Sequence, residues 1–473
     1  MSSMAQSPLT LGHILDEFDQ CADLSHRLFP EIEIDIVYFP HTVDSTLFIK
    51  EILEPLERTT PEEIVQLLRQ SQFVQVSDTK KVVVGILEGN VAVFHRGLTY
   101  LVDVYGPEGR SVQQSETETI IAGPHDAFVE SAITNLSLIR RRLKSSHLKI
   151  RKYAVGEISK TAVYVLYIQD VANMKLVDEL EQRILKIETD ALNDGGMLSQ
   201  FIEDNPNSVF PQFMITERPD VAVSKLSAGR IVTLIDNSPT VISAPAAFFE
   251  FFSSPDDYYQ RWALGTALRL LRFLALLITI TFTAMYVSVT TFHYEMIPEA
   301  LLRTLAESRN RVPFPPVYEA LLMEVMIELL REAGARLPTK IGQTIGIVGG
   351  IVIGQAAVQA GLTSNVLIIA VASSAIASFV IPSYMMSASI RLIRFGIIIL
   401  TGIWGNMGLV MGIALIVIHL SSLTSLGTSY TIPVAPMKSG DWKDVFIRAP
   451  FSMLRKRPSQ VATSNKVRQT NKR

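Results

Sequence analysis

Two long stretches of this 473-residue chain carry no Asp, Glu, Lys or Arg: fifty residues from 341 to 390 and forty-three from 395 to 437. A third run, 273–292, has twenty uncharged residues, and nothing comparable precedes Phe273. A helix rising 1.5 Å per residue needs about twenty apolar residues to cross the hydrocarbon of a bilayer. The runs therefore read as membrane spans. Charged residues are 19% of the whole, below the quarter usual for soluble domains, and mean hydropathy is +0.28. That average combines an acidic soluble part with an apolar part. It excludes a single soluble globule and a disordered chain. The lone cysteine, Cys21, excludes a disulfide scaffold.

The first ~260 residues read as α/β. Residues 1–33 form a polar, acidic tail without a signal-peptide pattern, so the soluble part is expected on the cytoplasmic side. A first subdomain, 34–146, has strand-like 32–39, helical spacing at 46–56 and 61–70, and β-rich runs at 81–87 and 91–95 around Glu88-Gly89-Asn90. A helix over 126–143 completes it. A second subdomain, 147–260, has strands at 148–153, 160–168, 210–216, 230–236 and 241–243, with an amphipathic helix over 171–188. Helices alternating with short strands favour α/β layers.

The remainder, 261–437, reads as an all-α polytopic membrane domain with spans at 273–292, 341–360, 365–381 and 395–420, the last placed after Arg391 and Arg394. Four spans return the C-terminus to the side of the N-terminus. Residues 438–473 carry ten Lys/Arg and two Asp, and such a basic tail is retained in the cytoplasm, bound to anionic headgroups or solvated. The connector between the first two spans has six Lys/Arg and seven Glu, which argues less cleanly for an outside position. Its segment 316–333 reads as an interfacial or bundle-packed helix; a further span formed from the connector is the alternative. Glu324, Glu328 and Arg331 lie within about 60° on one face, with Leu322, Val325, Met326, Leu329 and Leu330 facing the other way. They are either paired on a wet face or part of a gate.

The chain has no HExxH, GxSxG, Walker or dinucleotide-binding motif, and its histidines show no metal-ligand spacing. The reading is no enzyme, no cofactor, no metal and no nucleic-acid partner. His419 reads as a packed or interfacial histidine rather than a proton relay. The informative pattern is Gly342, Gly346, Gly350 and Gly354, one glycine every four residues along one span. Small residues let helix backbones approach closely in lipid, within or between subunits. Uncharged polar groups sit beside them: Gln343, Gln355 and Gln359, then Ser373, Ser374 and Asn406. They either bond between helices or line an aqueous path. Mid-span ionisable groups are missing outside the connector, which favours a channel or signalling component over a proton-coupled permease.

Six segments stand out: NLSLIRRRLKS (135–145), FPQFMITERPD (210–220), SPDDYYQRW (254–262), VPFPPVYEALLMEVMIELLREAGARLP (312–338), IGQTIGIVGGIVIGQAAVQAG (341–361) and IASFVIPSY (376–384). In these the chain resembles the A subunits of GerA-type nutrient germinant receptors of endospore-forming bacteria. The resemblance implies a multi-pass component of the spore inner membrane, acting with a B-type membrane subunit and a C-type lipoprotein. It further implies self-association as an ion-conducting ring that triggers germination in response to nutrients. This chain departs from the family pattern at Phe39-Pro40-His41-Thr42, Ser115, His125-Asp126-Ala127 and Ala228, all in the soluble part. The departures put that part's partner contacts in question.

Overall fold

The computed structural model describes residues 9–106, 115, 118, 122–337, 349, 350 and 352–469. Gly342, Gly346 and Gln343 lie outside the described residues. The N-terminal region holds two five-stranded sheets. The first has β1 (Ser25–Phe29), β2 (Ile34–Tyr38), β3 (Val74–Gln75), β4 (Asn90–His95) and β5 (Leu98–Asp103), in the order β1-β2-β4-β5-β3. The second has β6 (Leu148–Val155), β7 (Thr161–Ile168), β8 (Met214–Thr216), β9 (Ile231–Ile235) and β10 (Val241–Ala244), in the order β6-β7-β9-β10-β8. Every strand pairing in both sheets is antiparallel. Each sheet thus has the same strand order, so the region is a duplicated α/β unit.

β7 shows why the second unit holds together. Its sequence, TAVYVLYI, is apolar throughout and buried on both faces, as a strand covered by helices on each side must be. Val163, Val165 and Tyr167 pack with Leu176, Val177 and Leu180 of the helix Met174–Leu185. Tyr164 and Leu166 pack with Leu136 and Ile139 of the helix Ala132–Arg142, and with Ala222 and Leu226 of Pro219–Ser227.

Three expectations change here. Residues 1–33 are no bare tail: the helix Leu11–Glu17 buries Ile14 against the first sheet, and β1 is that sheet's edge strand. The run 81–87 is a helix, Thr79–Leu87, rather than a strand. Asp78 caps it by accepting from the Lys80 amide, and Val82, Gly85 and Ile86 face inward at helical spacing. The helix Ala132–Arg142 covers the second sheet, so the boundary near 146 falls after an element of the second unit.

Among the described residues the C-terminal bundle holds α1 (Trp262–Thr291), α2 (Pro316–Arg336), α3 (352–359), α4 (Asn365–Phe379), α5 (Tyr384–Trp404) and α6 (Asn406–Ser422), and a connector helix, Glu299–Arg309, buries Leu305 against them. α1 and α5 are long and apolar enough to cross a membrane. The expected span 395–420 is two helices, broken at Gly405, whose φ of 57° and ψ of −138° suit glycine. A β-carbon at Gly408 would stand 2.0 Å from the Leu400 carbonyl oxygen, so α6 folds tightly back on α5.

α2 does not lie across the end of the bundle. Its start touches the far end of α5, where a β-carbon at Gly402 would come within 2.5 Å of Val317. Glu324 reaches Arg394 at mid-helix, and Arg331 reaches Ser378 near the end of α4. α2 therefore runs lengthwise and antiparallel to α5. Of the two placements open to this helix it takes the bundle-packed one, turned inside out: Glu319 and Glu324 are buried, while Val325 and Leu329 are 44% and 59% exposed.

The bundle meets the N-terminal region through an aromatic plug. Phe210, Phe248, Phe251 and Tyr430 pack with Ile381, Met386 and Leu420 from the ends of the bundle helices. The basic C-terminal segment also docks rather than trailing free. Tyr258 donates to Asp444 at 2.7 Å, Ser459 to Asp441 at 2.5 Å, and Arg457 to the Ser227 carbonyl at 2.9 Å.

Candidate functional site

The densest concentration of buried charge lies where α2, α4 and α5 meet. Glu324 and Arg394 are wholly buried and 2.5 Å apart. Thr283 of α1 donates to Glu324 at 2.9 Å. Arg394 donates to Ser374 of α4 at 2.9 Å, and Ser374 passes a hydrogen bond to the Thr279 carbonyl at 3.0 Å. Glu328 is shared: one of its oxygens is 3.2 Å from Arg391, 3.5 Å from Arg394 and 3.6 Å from Arg331. Arg331 also donates to Ser378 at 2.9 Å and lies 4.4 Å over the Phe379 ring. Isolated charges in such surroundings would be prohibitive, and these are held because each finds a partner. The α2 charges are thus neither a wet face nor a simple i,i+4 ladder, for their main partners are on α5.

A second buried carboxylate, Glu319, serves the opposite end. It accepts from Arg309 at 3.3 Å and from the Ser364 amide at 3.2 Å, at the start of α4. Ser364 caps α4 through the Leu367 amide and pairs with the Tyr286 hydroxyl at 2.7 Å. Asn406, close by, accepts from Ser288 at 2.7 Å, so this polar group bridges helices α1 and α6.

α3 behaves differently. Of its residues 352–359 only Ala357 is buried. Gln355 and Gln359, one turn apart, are exposed, and a β-carbon at Gly354 would meet nothing within 4 Å. A β-carbon at Gly350 would reach only Leu330, at 3.9 Å. Gly350 thus touches α2 through Leu330, as does Gly349 beside it, where a β-carbon would come within 2.8 Å, whereas Gly354 faces open space among the described residues. His419, exposed, pairs with Ser208 at 3.0 Å and so links α6 to the N-terminal region.

Two further knots attach the helices to the N-terminal region. Asp257, fully buried, receives Arg269 at 3.1 Å and Arg272 at 2.8 Å from the first turns of α1. Arg218 and Asp220 of the ERPD segment pair at 2.7 Å, and Tyr259 donates to Asp220 at 2.6 Å. Beside them the Glu118 carboxylate accepts from Thr216 at 2.7 Å, and burial pushes its carboxyl up to about 7. Between this wall and the bundle opens a cavity of about 1620 Å³. The departure residue His41 is internal. It lies 3.5 Å from Asp23, which Arg140 grips with two hydrogen bonds of 2.9 and 3.0 Å.

Sequence reading found Glu324, Glu328 and Arg331 but missed Arg394, Arg391 and Glu319. Arg391 and Arg394 were used as a span boundary, when an Arg pair three residues apart opposite a Glu pair four apart was the signal. No group of three or more His, Cys, Asp or Glu suited to a metal ion occurs among the described residues.

Two antiparallel α/β units docked on an apolar helical bundle with a charged interior define the class: a two-part protein whose site lies between bundle helices. Residues 12–460 match the family described as Bacillus/Clostridium GerA spore germination protein. The chain is 42% identical over 439 residues to spore germination protein GerQA of Bacillus cereus, covering 90% of this chain and 86% of that protein. It is 36% identical over 434 residues to the uncharacterized membrane protein YfkQ of Bacillus subtilis (strain 168), covering 91% and 84%. The crystal structure of the N-terminal domain of the A subunit of the Bacillus megaterium spore germinant receptor GerK3 is 25% identical, covers 52% of this chain and 99% of that one, and superposes with a TM-score of 0.41. The chain belongs to the GerA family of spore germination proteins.

Proposed function

We propose that this chain is the A subunit of a nutrient germinant receptor and that several copies form a ring around an ion path lined by α3. The observation that carries the reading is the pair Gln355 and Gln359, exposed on a helix of which, among the described residues, only Ala357 is fully buried. In hydrocarbon two unpartnered amides one turn apart would each cost several kcal/mol, roughly as other unsatisfied polar groups do. They must face water or another subunit, and a ring supplies both. Gly350 and Gly354, with Gly342 and Gly346 before them, would let neighbouring α3 helices approach.

The receptor's partners in this reading are a B-type membrane subunit and a C-type lipoprotein, in the spore inner membrane. In this reading the helical region crosses the membrane several times, α2 included, with the N-terminal region and the C-terminal segment on the cytoplasmic side. The outward apolar face of α2 then meets lipid, and its buried carboxylates meet Arg394 and Arg309. The Glu324–Arg394 pair, with Glu328 shared among three guanidiniums, is the element suited to act as a gate, because its partners sit on different helices and separate if those helices slide.

Reconstitution of the assembled subunits in liposomes tests this. Nutrient-dependent cation flux is expected. Flux tied to uptake of the nutrient itself would mean a permease, and no flux with germination intact would mean a signalling scaffold.

A further inference from the structure

The cavity of about 1620 Å³ between bundle and N-terminal region has two chemistries. It exceeds the roughly 300–1,000 Å³ that small-molecule sites usually occupy. Met326, Leu330, Ile353 and Phe379 contribute an apolar wall; Arg331 and Arg391 line the bundle side, and Glu118, Glu217 and Arg218 line the side of the N-terminal region. Those arginines belong to a cluster whose charges do not balance. Three guanidiniums, Arg331, Arg391 and Arg394, face two carboxylates, Glu324 and Glu328, and Glu324 is taken by Arg394. One carboxylate therefore serves two remaining arginines. Among the described residues Arg391 uses only Nε and Nη1, on Glu328 and Ser387.

Both arginines sit near one end of the bundle. Arg331 is about 8 Å from the end of α2 and Arg391 about 10 Å from the start of α5, at 1.5 Å per residue. That end faces the N-terminal region, since Ser389 donates to the Val209 carbonyl at 2.5 Å. If the bundle lies in a bilayer, this is the depth at which headgroups meet acyl chains.

We propose that the cavity holds one anionic phospholipid of the surrounding bilayer, its phosphate on Arg331 and Arg391 and its acyl chains on the Met326–Phe379 wall. The lipid supplies the missing negative charge and ties α2 to α5. The inference rests on the bundle being membrane-embedded, as proposed above.

Native mass spectrometry of the full chain in detergent, titrated with dioleoylphosphatidylglycerol or dioleoylphosphatidylcholine, tests it. Phosphatidylglycerol should be retained about tenfold more tightly, the worth of one charge-assisted contact. Arg391→Gln should remove that preference, and Met326→Trp, which narrows the apolar wall with the charges kept, should weaken both lipids. Equal retention of the two lipids, displacement by inorganic phosphate alone, or Met326→Cys cross-linking to a second copy across the cavity would overturn the site. Flotation of the same chain with liposomes separates the two readings. Flotation with equal lipid retention removes only the lipid site, whereas failure to float removes membrane embedding and the site with it.

Discussion

Glu324 and Arg394 meet at 2.5 Å where α2 runs beside α5, and neither side chain reaches solvent. Removing one partner leaves the other charge buried and uncompensated, which costs about 3–5 kcal/mol. Glu324→Ala should therefore lower the melting temperature of the full chain in detergent sharply. Glu324→Leu combined with Arg394→Leu should restore much of the loss, since apolar pairs of similar volume commonly replace buried ion pairs without penalty. If the double variant melts no higher than the single one, the pair is not the contact that matters here.

Gly405 separates α5 from α6 with a φ of 57°. An added β-carbon would also stand 3.0 Å from the Phe292 ring. Gly405→Ala is expected to destabilise by about 1–3 kcal/mol, the range for a backbone forced into a sparsely populated region. Chemical denaturation of the variant should show a lower midpoint with helix content retained.

A pH effect follows from His41. Burial pushes its imidazole down to about 4, with nearby Asp23 opposing and Arg140 adding to the drop. The unfolded chain takes up the same proton near 6.5. The neutral folded form is thus favoured fully above pH 6.5, and that stability is lost as pH falls from 6.5 towards 4. Between pH 7 and pH 5 the loss from this group should be about 2 kcal/mol. His41→Phe should flatten that part of the pH profile, measured by denaturant midpoints; an unchanged slope would assign the effect to other groups.

Much of the N-terminal region is legible in the sequence because its strands are apolar runs bounded by turns, as 160–168 and 241–243 show. Residues 79–87 mislead because three consecutive valines outweigh the Asp78 cap and the helical spacing of Val82, Gly85 and Ile86. The identical order of the two sheets cannot be read, since no sequence repeat accompanies it. In the bundle the amphipathic pattern of α2 is plain, but its sign is not. Charges point outward from a helix facing water and inward from one facing lipid, and the choice depends on whether Arg394 and Arg309 are there to receive them. The break at Gly405 is hidden for a related reason: Arg391 and Arg394 look like a boundary until their buried partners are known. Gln355 and Gly354 are visible as residue types, yet only the assembled bundle shows Gln355 exposed and open space beside Gly354 among the described residues.

The central claim, that α3 faces an aqueous path, is tested most directly by thiol labelling. The chain has one cysteine, Cys21, which is buried in the N-terminal region. In a Cys21→Ser background, Gln355→Cys and Gln359→Cys would be exposed to a membrane-impermeant thiol reagent in the reconstituted receptor. The account predicts that both are modified and that modification reduces ion flux, while Leu329→Cys on the outward face of α2 stays unmodified. Protection of both α3 cysteines with Leu329→Cys equally protected, in a receptor that still conducts, would contradict it.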